Sequence, residues 1–495
     1  MIRKNYYIVL YPLLALLVLL LSSPATSPLF GIDTGDSSIF ILMGQAILKG
    51  KILYKDLFDH KGPVFFFIQA LGQLIYPGNI GIFVLQIINL SIIYFMIRKI
   101  SLFFVRPGQI WFILIPGSLF WMTMNSGGNS NEEFSLIFIL IPIFYVLKHS
   151  FSGKIKHPFR YSLIYGVCFG LTSFIRLNNS AISGAIVLSI VIYLLSNKEI
   201  KNTCLNILYF ISGFMIVCLP ICIYFYANDA FSDMVYATFL HNIKYATADE
   251  YFPRWIVLLS LLFAIIALIN IYIYSYGKKY YLVKIMILIV AFNFIATNFS
   301  TRFYLHYHVL DIPTIVLGIS LFICNCNNNL IHKSKKVINV ILLSTAVLHT
   351  GYYTTNIIRD FYKMLVCDHN SVLLNYPQYQ IPEEDKNSAI GYNVSARWYL
   401  TQNIIPCYKY FTMQKWMAKT NPQILKEFDN MIITKTPKWI LVSSGTGCMS
   451  PEVKYLLDEK YEIKAFTPER PLIKNMETTY DEYGYTLYHL KKSEK

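Results

Sequence analysis

Charge is scarce in this chain: only 14% of its 495 residues are Asp, Glu, Lys or Arg. That is too little to coat a soluble globule of this size, since ordinary soluble domains carry about 25%. Cysteine supplies no framework either. The nine cysteines include no C-x-x-C pair, and Cys168, Cys204, Cys218, Cys222 and Cys324 lie in or beside apolar runs. There a thiol acts as a small hydrophobe. Cys367, Cys407 and Cys448 sit in the polar tail, an odd number that excludes a complete disulfide set there. The tail also lacks a G-x-G-x-x-G or P-loop pattern, which removes two common phosphate cradles from it.

What is present in excess is apolar surface, with 55% hydrophobic and 16% aromatic residues. Apolar runs of 15 to 25 residues recur along the chain, and such runs suit a hydrocarbon layer ~30 Å thick. The fold class read from this is a polytopic α-helical membrane protein. The formal charge of +15 does not mark a nucleic-acid binder, because its Lys and Arg residues fall in short clusters between apolar runs. That is the positive-inside pattern, and the partner it implies is the lipid bilayer.

Helices are expected near 6–22, 81–97, 109–124, 134–147, 161–176, 181–195, 203–226, 255–275, 280–298, 308–323 and 337–354. The first, behind Arg3 and Lys4, is read as an uncleaved anchor. With the N-terminus inside, the turns at 98–108, 148–160, 196–202, 276–279 and 324–336 face the cytoplasm, and every one is basic. The odd count of eleven exports the tail. The run Val64–Tyr76 is too short to span and is expected to lie on the outer face.

The chain divides into a membrane part, 1–354, and a polar tail, 355–495. In the tail, 388–392, 409–411, 439–443 and 485–490 read as strands. Segments 396–402, 422–433 and 451–459 carry helical spacing, with Asn421 as an N-cap before Pro422. Alternation of this kind predicts a small α/β domain. It acts either as a rigid cover or as an acceptor-binding element.

Polar residues gather on the side predicted to be exported. Asp33 and Asp36 precede a segment, Ser37–Leu48, with the spacing of an interfacial helix, and Asp36 is expected to cap it. A capping Asp keeps one carboxylate oxygen for other work. Lys61 stands before Gly62-Pro63, which should hold it close to the bilayer; plain snorkelling would also place a Lys there. Arg176 and Arg302 oppose the positive-inside trend, and charges that do so at a membrane mark function by default. Glu132 and Glu133 open the fourth helix. The helix dipole alone accounts for them there, unless one binds a metal or orients a substrate opposite Asp36. His306 and His308, at i and i+2, face apart on a helix end, so no protein-held metal is expected and a divalent cation is the one cofactor left open.

The order of first helix, exported loop with Asp36, then Tyr54 and His60-Lys61-Gly62-Pro63 resembles the GT-C glycosyltransferases that use polyprenyl-phosphate sugars. That class includes the protein O-mannosyltransferases and the lipid A aminoarabinose transferase. The likeness covers roughly residues 1–320, and the tail resembles the α/β caps of the same group. It implies that Asp36 is the catalytic acid of the first loop and that Lys61 with Pro63 matches the element touching the lipid phosphate or acceptor. By the same likeness Glu133 matches a second acid and His306-Tyr307 a late aromatic motif. Two departures stand out: Ser37 replaces the usual Glu, and Asp33 is an additional acid.

The resemblance implies an inverting enzyme of the bacterial cytoplasmic membrane, moving one sugar from an undecaprenyl-phosphate type donor to an envelope glycan, lipid or protein. Such chemistry needs a base for the incoming hydroxyl, and cations for the departing phosphate. Asp36 or Asp33 would be the base, and Lys61, Arg302 and Arg176 the cations. Two alternatives remain. A transporter or flippase for lipid-linked sugars predicts mid-span charges and internal repeats, which the spans lack. A surface-polysaccharide polymerase or ligase usually places its large loop between late helices, whereas here a long tail follows the last one.

Overall fold

The structure, a computed structural model, describes residues 7–30, 35–125, 127–242, 254–275, 280–298, 304–328, 333–367, 379–413, 417, 421–443, 449–467 and 484–491. The first ten helices are α1 Tyr7–Ser22, α2 Asp36–Leu48, α3 Pro63–Ile75, α4 Asn79–Ser101, α5 Trp111–Met124, α6 Asn131–Ser152, α7 Phe159–Ile175, α8 Ala181–Ser196, α9 Ile200–Ala227 and α10 Phe231–Val235. Among the described residues, helices Arg254–Tyr274, Tyr280–Asn298, Ile312–Asn327 and Lys333–Cys367 follow before the tail. Each helix expected from the sequence overlaps one of these. Seven helices among the described residues are long and apolar enough to cross a membrane: Asn79–Ser101, Asn131–Ser152, Leu177–Ser196, Ile200–Ala227, Trp255–Tyr274, Tyr281–Asn298 and Leu305–Asn327.

Helices α2 and α3 have 13 residues each, about 20 Å of helix at 1.5 Å per residue, so neither spans alone. They pack against each other closely, because Gly44 presents no side chain to the α3 backbone at Gln69 and Ala70. The expected capping role of Asp36 is corrected here. Gly35 takes the N-cap position at φ 72°, and Asp36 is the first helical residue. A turn that needs positive φ is made by glycine, and this moves the helix start one residue toward Asp36.

The last helix expected from the sequence, 337–354, runs over Lys333–Cys367 and does not stop at 354. Beyond it stands a four-stranded sheet, β1 Ala389–Tyr392, β2 Trp439–Ser443, β3 Tyr461–Thr467 and β4 Tyr485–Leu490, in the order β1-β2-β4-β3. The β1/β2 pair is parallel and the other two pairs are antiparallel. Helices Pro422–Lys435 and Pro451–Lys460 complete it, and Asn421 caps the first by accepting from the Gln423 amide at 3.1 Å. Two strand expectations need correction. Lys409–Phe411 is outside the sheet, and β3 went unforeseen because an irregularity between Ile463 and Ala465 breaks its period-two pattern.

One apolar core fills the space among the long helices. A second runs from Phe40, Tyr54, Phe58 and Phe65 through Phe225 and Met234 into Ile390, Ile440 and Leu441 of the sheet. The sheet domain therefore shares a core with the loop that connects α2 and α3.

The tightest helix pair is α7 with α9, where Gly166 and Gly213 each meet the partner's backbone. A Cβ on Gly213 would lie 2.1 Å from the Leu163 carbonyl, and one on Gly166 2.0 Å from that of Phe210. Small residues permit such approach in bilayers. Gly213→Val should therefore lower the thermal unfolding midpoint of the detergent-solubilised protein, by the equivalent of about 1–3 kcal/mol. Gly351→Val, a site with nothing within 4 Å, should leave it unchanged.

Candidate active site

The loop between α2 and α3 is a small built object. Leu53 and Leu57 form a bridge, and Tyr54 sits at φ 68° with its amide donating to the Leu57 carbonyl at 2.8 Å. A non-glycine residue in that region is uncommon and needs surrounding structure to hold it. The buried Tyr54 hydroxyl donates to the Lys61 carbonyl at 2.7 Å. Asp59, 1% exposed, accepts from the Lys61 amide at 2.9 Å. At the end of the loop the Gly62 amide donates to the Ile175 carbonyl at 3.0 Å, and a Cβ there would lie 2.0 Å from the Phe174 carbonyl. Only glycine fits, so Lys61 is fixed against the C-terminal end of α7. The next residue after that end is Arg176.

Lys61 Nζ lies 3.8 Å from Asp36 Oδ2 and 3.8 Å from Asp59 Oδ1, and 4.9 Å from the centre of the Phe40 ring. Of the two carboxylates Asp36 is the open one, its side chain 58% exposed. Burial pushes the Asp59 carboxyl above the ordinary range, and the neighbouring Lys61 charge opposes that shift. Opposite them, Arg176 Nη1 meets Glu132 Oε1 at 2.5 Å, with the guanidinium 3.9 Å from the centre of the Tyr307 ring. His306 Nε2 stands 3.8 Å from Glu132 Oε2, and the His306 ring stacks on Tyr304 at 5.5 Å and 16°. Between these walls is an open cleft.

Asp36, His60, Lys61, Arg176, His306 and Tyr307, all singled out from sequence, line that cleft together. Tyr54 lies beneath the loop and Glu132 behind Arg176. Glu133 turns the other way, accepting from Gln86 at 2.9 Å and Asn125 at 3.1 Å in a buried polar knot. Its amide is capped by Ser130 Oγ at 3.2 Å. Ser130 is the N-cap of α6, and the Glu133 carboxylate goes to Gln86 and Asn125 instead of closing a capping box. His308 points to Asp311 at 2.8 Å, away from His306. Asp33 and Arg302 lie outside the described residues.

Sequence reasoning missed three lining residues, Asn131, Asn242 and Tyr304, and the anchoring role of Asp59. Asparagine and tyrosine are too common in this chain to stand out, but the acid two residues before Lys61 was a readable signal. Among the described residues no cluster of three His, Cys, Asp or Glu side chains is arranged to hold a metal.

No family model matches the chain, and no curated protein matches it by sequence. Solved structures do match in fold. ArnT from Cupriavidus metallidurans bound to undecaprenyl phosphate has 10% identity and a TM-score of 0.62, with 99% of each chain covered. Its apo state gives 11% identity and 0.55, with 98% of each chain covered. The archaeal oligosaccharyltransferase AglB from Archaeoglobus fulgidus, in complex with an inhibitory peptide and a dolichol-phosphate, has 8% identity and a TM-score of 0.50, covering 90% of this chain and 70% of that one. The chain therefore has the GT-C fold, a polytopic helical membrane architecture with a small sheet near its C-terminal end.

The Arg176 and Glu132 pair makes the first site prediction. Glu132→Ala leaves a guanidinium that is only 20% exposed without its counter-charge, which should destabilise the protein by about 3 kcal/mol. The double substitution Glu132→Ala with Arg176→Ala should recover part of that loss in thermal unfolding.

Proposed function

We propose that this protein is a glycosyltransferase that moves one sugar from a polyprenyl-phosphate donor to a hydroxyl of an envelope glycan, lipid or protein, with inversion. The observation that carries the reading is the facing of an open carboxylate, Asp36, and an anchored ammonium, Lys61, 3.8 Å apart in one cleft of a GT-C fold. The neighbours with undecaprenyl phosphate and dolichol-phosphate support a lipid-phosphate partner for the same architecture.

In this reaction the acceptor oxygen attacks the anomeric carbon as Asp36 takes its proton. The bond from that carbon to the phosphate oxygen breaks on the opposite face, and the electron pair leaves with the polyprenyl phosphate. No proton is needed by a phosphate leaving as an anion, so charge stabilisation does the remaining work. Lys61 supplies it, with Arg302 as its partner cation and Arg176 as the cation held on Glu132. Asp59 keeps Lys61 in place. We assign residues 1–354 to the catalytic membrane part and 355–495 to an extracytoplasmic domain, with the cleft on the outer side of a bacterial cytoplasmic membrane.

Asp36 is the first residue of α2 and its side chain is 58% exposed, so Asp36→Asn should fold normally. It removes the base, and loss of a general base costs about 10²–10⁴ in rate. A transfer assay with purified protein and a polyprenyl-phosphate sugar should show that fall, with Asp33→Asn retaining activity; the reverse pattern would exchange the two roles. Orientation is tested separately. A reporter that fluoresces only in the cytoplasm, fused after Lys495, should stay dark.

A further inference from the structure

The stretch Lys409–Phe411 looks like a strand by composition yet pairs with no strand among the described residues. Its backbone goes elsewhere: the Lys409 carbonyl accepts from the Phe58 amide at 2.8 Å, three residues before Lys61. The Tyr410 ring stands 5.3 Å from the Phe58 ring. Lys409 Nζ reaches Asp233 Oδ1 of α10 at 2.6 Å, and Asn421 donates to the Tyr236 hydroxyl at 2.8 Å just beyond that helix. The same α10 segment continues into a π-helical turn, Tyr236–Leu240, that ends at His241 and Asn242. His241 packs edge-on to Phe58 at 5.4 Å, and Asn242 Nδ2 donates to the His60 carbonyl at 2.8 Å.

The loop that carries Lys61 is thus gripped on two sides, by the C-terminal domain through Lys409 and Tyr410 and by the α10 segment through His241 and Asn242. The two grips are tied to each other by the Lys409 and Asp233 ion pair. Each side chain of that pair is 32% exposed, and exposed pairs contribute little to overall stability. Their placement is of another kind. They close a ring of contacts around the one loop whose geometry sets the position of an ammonium in the cleft.

We propose that Lys409, Tyr410 and Asp233 are positioning residues for Lys61, so that the C-terminal domain forms part of the donor-phosphate site and is more than a cover. This rests on the reading of Lys61 as the donor-phosphate cation. A shift of the loop displaces the ammonium from the departing phosphate, and misplacement by about 1 Å costs on the order of 10²-fold in rate. A partial release of one grip is expected to cost about 10-fold on the same scale.

The test is a double-mutant cycle on the full-length protein in lipid nanodiscs, with an undecaprenyl-phosphate sugar as donor. Lys409→Met should lower the rate at saturating donor about 10-fold and raise the donor KM, with the acceptor KM unchanged. In a Lys61→Ala background the same substitution should cost less than about 2-fold, because coupled residues do not add. The exchanged pair Asp233→Lys with Lys409→Asp should regain most of the wild-type rate. A wild-type rate for Lys409→Met, an equal loss in both backgrounds, or a change confined to the acceptor KM would overturn the positioning role while leaving Lys61 in the site. A wild-type rate for Lys61→Ala would overturn the donor-site reading, and this inference with it.

Discussion

An ammonium group placed 3.8 Å from two carboxylates, at the edge of a protein that is otherwise mostly apolar, sets the terms for everything around it. A lone charge in such surroundings costs several kcal/mol, and a paired one is tolerated only when geometry holds the pair. The chain supplies that geometry through Gly62, which lets the loop backbone lie directly on the end of α7, and through the Tyr54 and Asp59 bonds to Lys61. The contact at Gly62 also brings Arg176 alongside. From one close backbone approach come both cations of the described cleft.

The electrostatic plan follows from the same constraint. Each described cation in the cleft has an acid of its own, Lys61 with Asp59 and Asp36, Arg176 with Glu132. The anchoring acids Asp59 and Glu132 are buried, whereas Asp36 is open. Burial is thus what separates the holding acids from the acid available to a substrate. In a low-dielectric cleft a cation already fixed in place stabilises developing negative charge without further reorganisation. That property suits a departing phosphate.

Much of this was readable in the chain. Arg176 stood out because it opposes the positive-inside trend, and Asp36 and Lys61 because they belong to a polar cluster in the loop after the first apolar segment. The membrane helices were readable because apolar length is a strong signal. What escaped depends on three-dimensional pairing. Glu132 and Glu133 are neighbours in sequence, yet on a helix about 100° of rotation separates them, sending one toward Arg176 and the other to Gln86. Asp36 looked like a cap until the positive φ of Gly35 took that position. Lys409–Phe411 had the composition of a strand, and its backbone is used on Phe58 instead. Strand β3 was hidden by its own irregularity.

The most direct test of the account is to see where a lipid phosphate binds. Cryo-electron microscopy of the purified protein with undecaprenyl phosphate should show the phosphate beside Lys61 Nζ, within ion-pair distance, on the side of the cleft shared with Arg176 and with Asp36 open to an incoming hydroxyl. A phosphate seated elsewhere, with Lys61 still held between Asp36 and Asp59 and out of its reach, would contradict it.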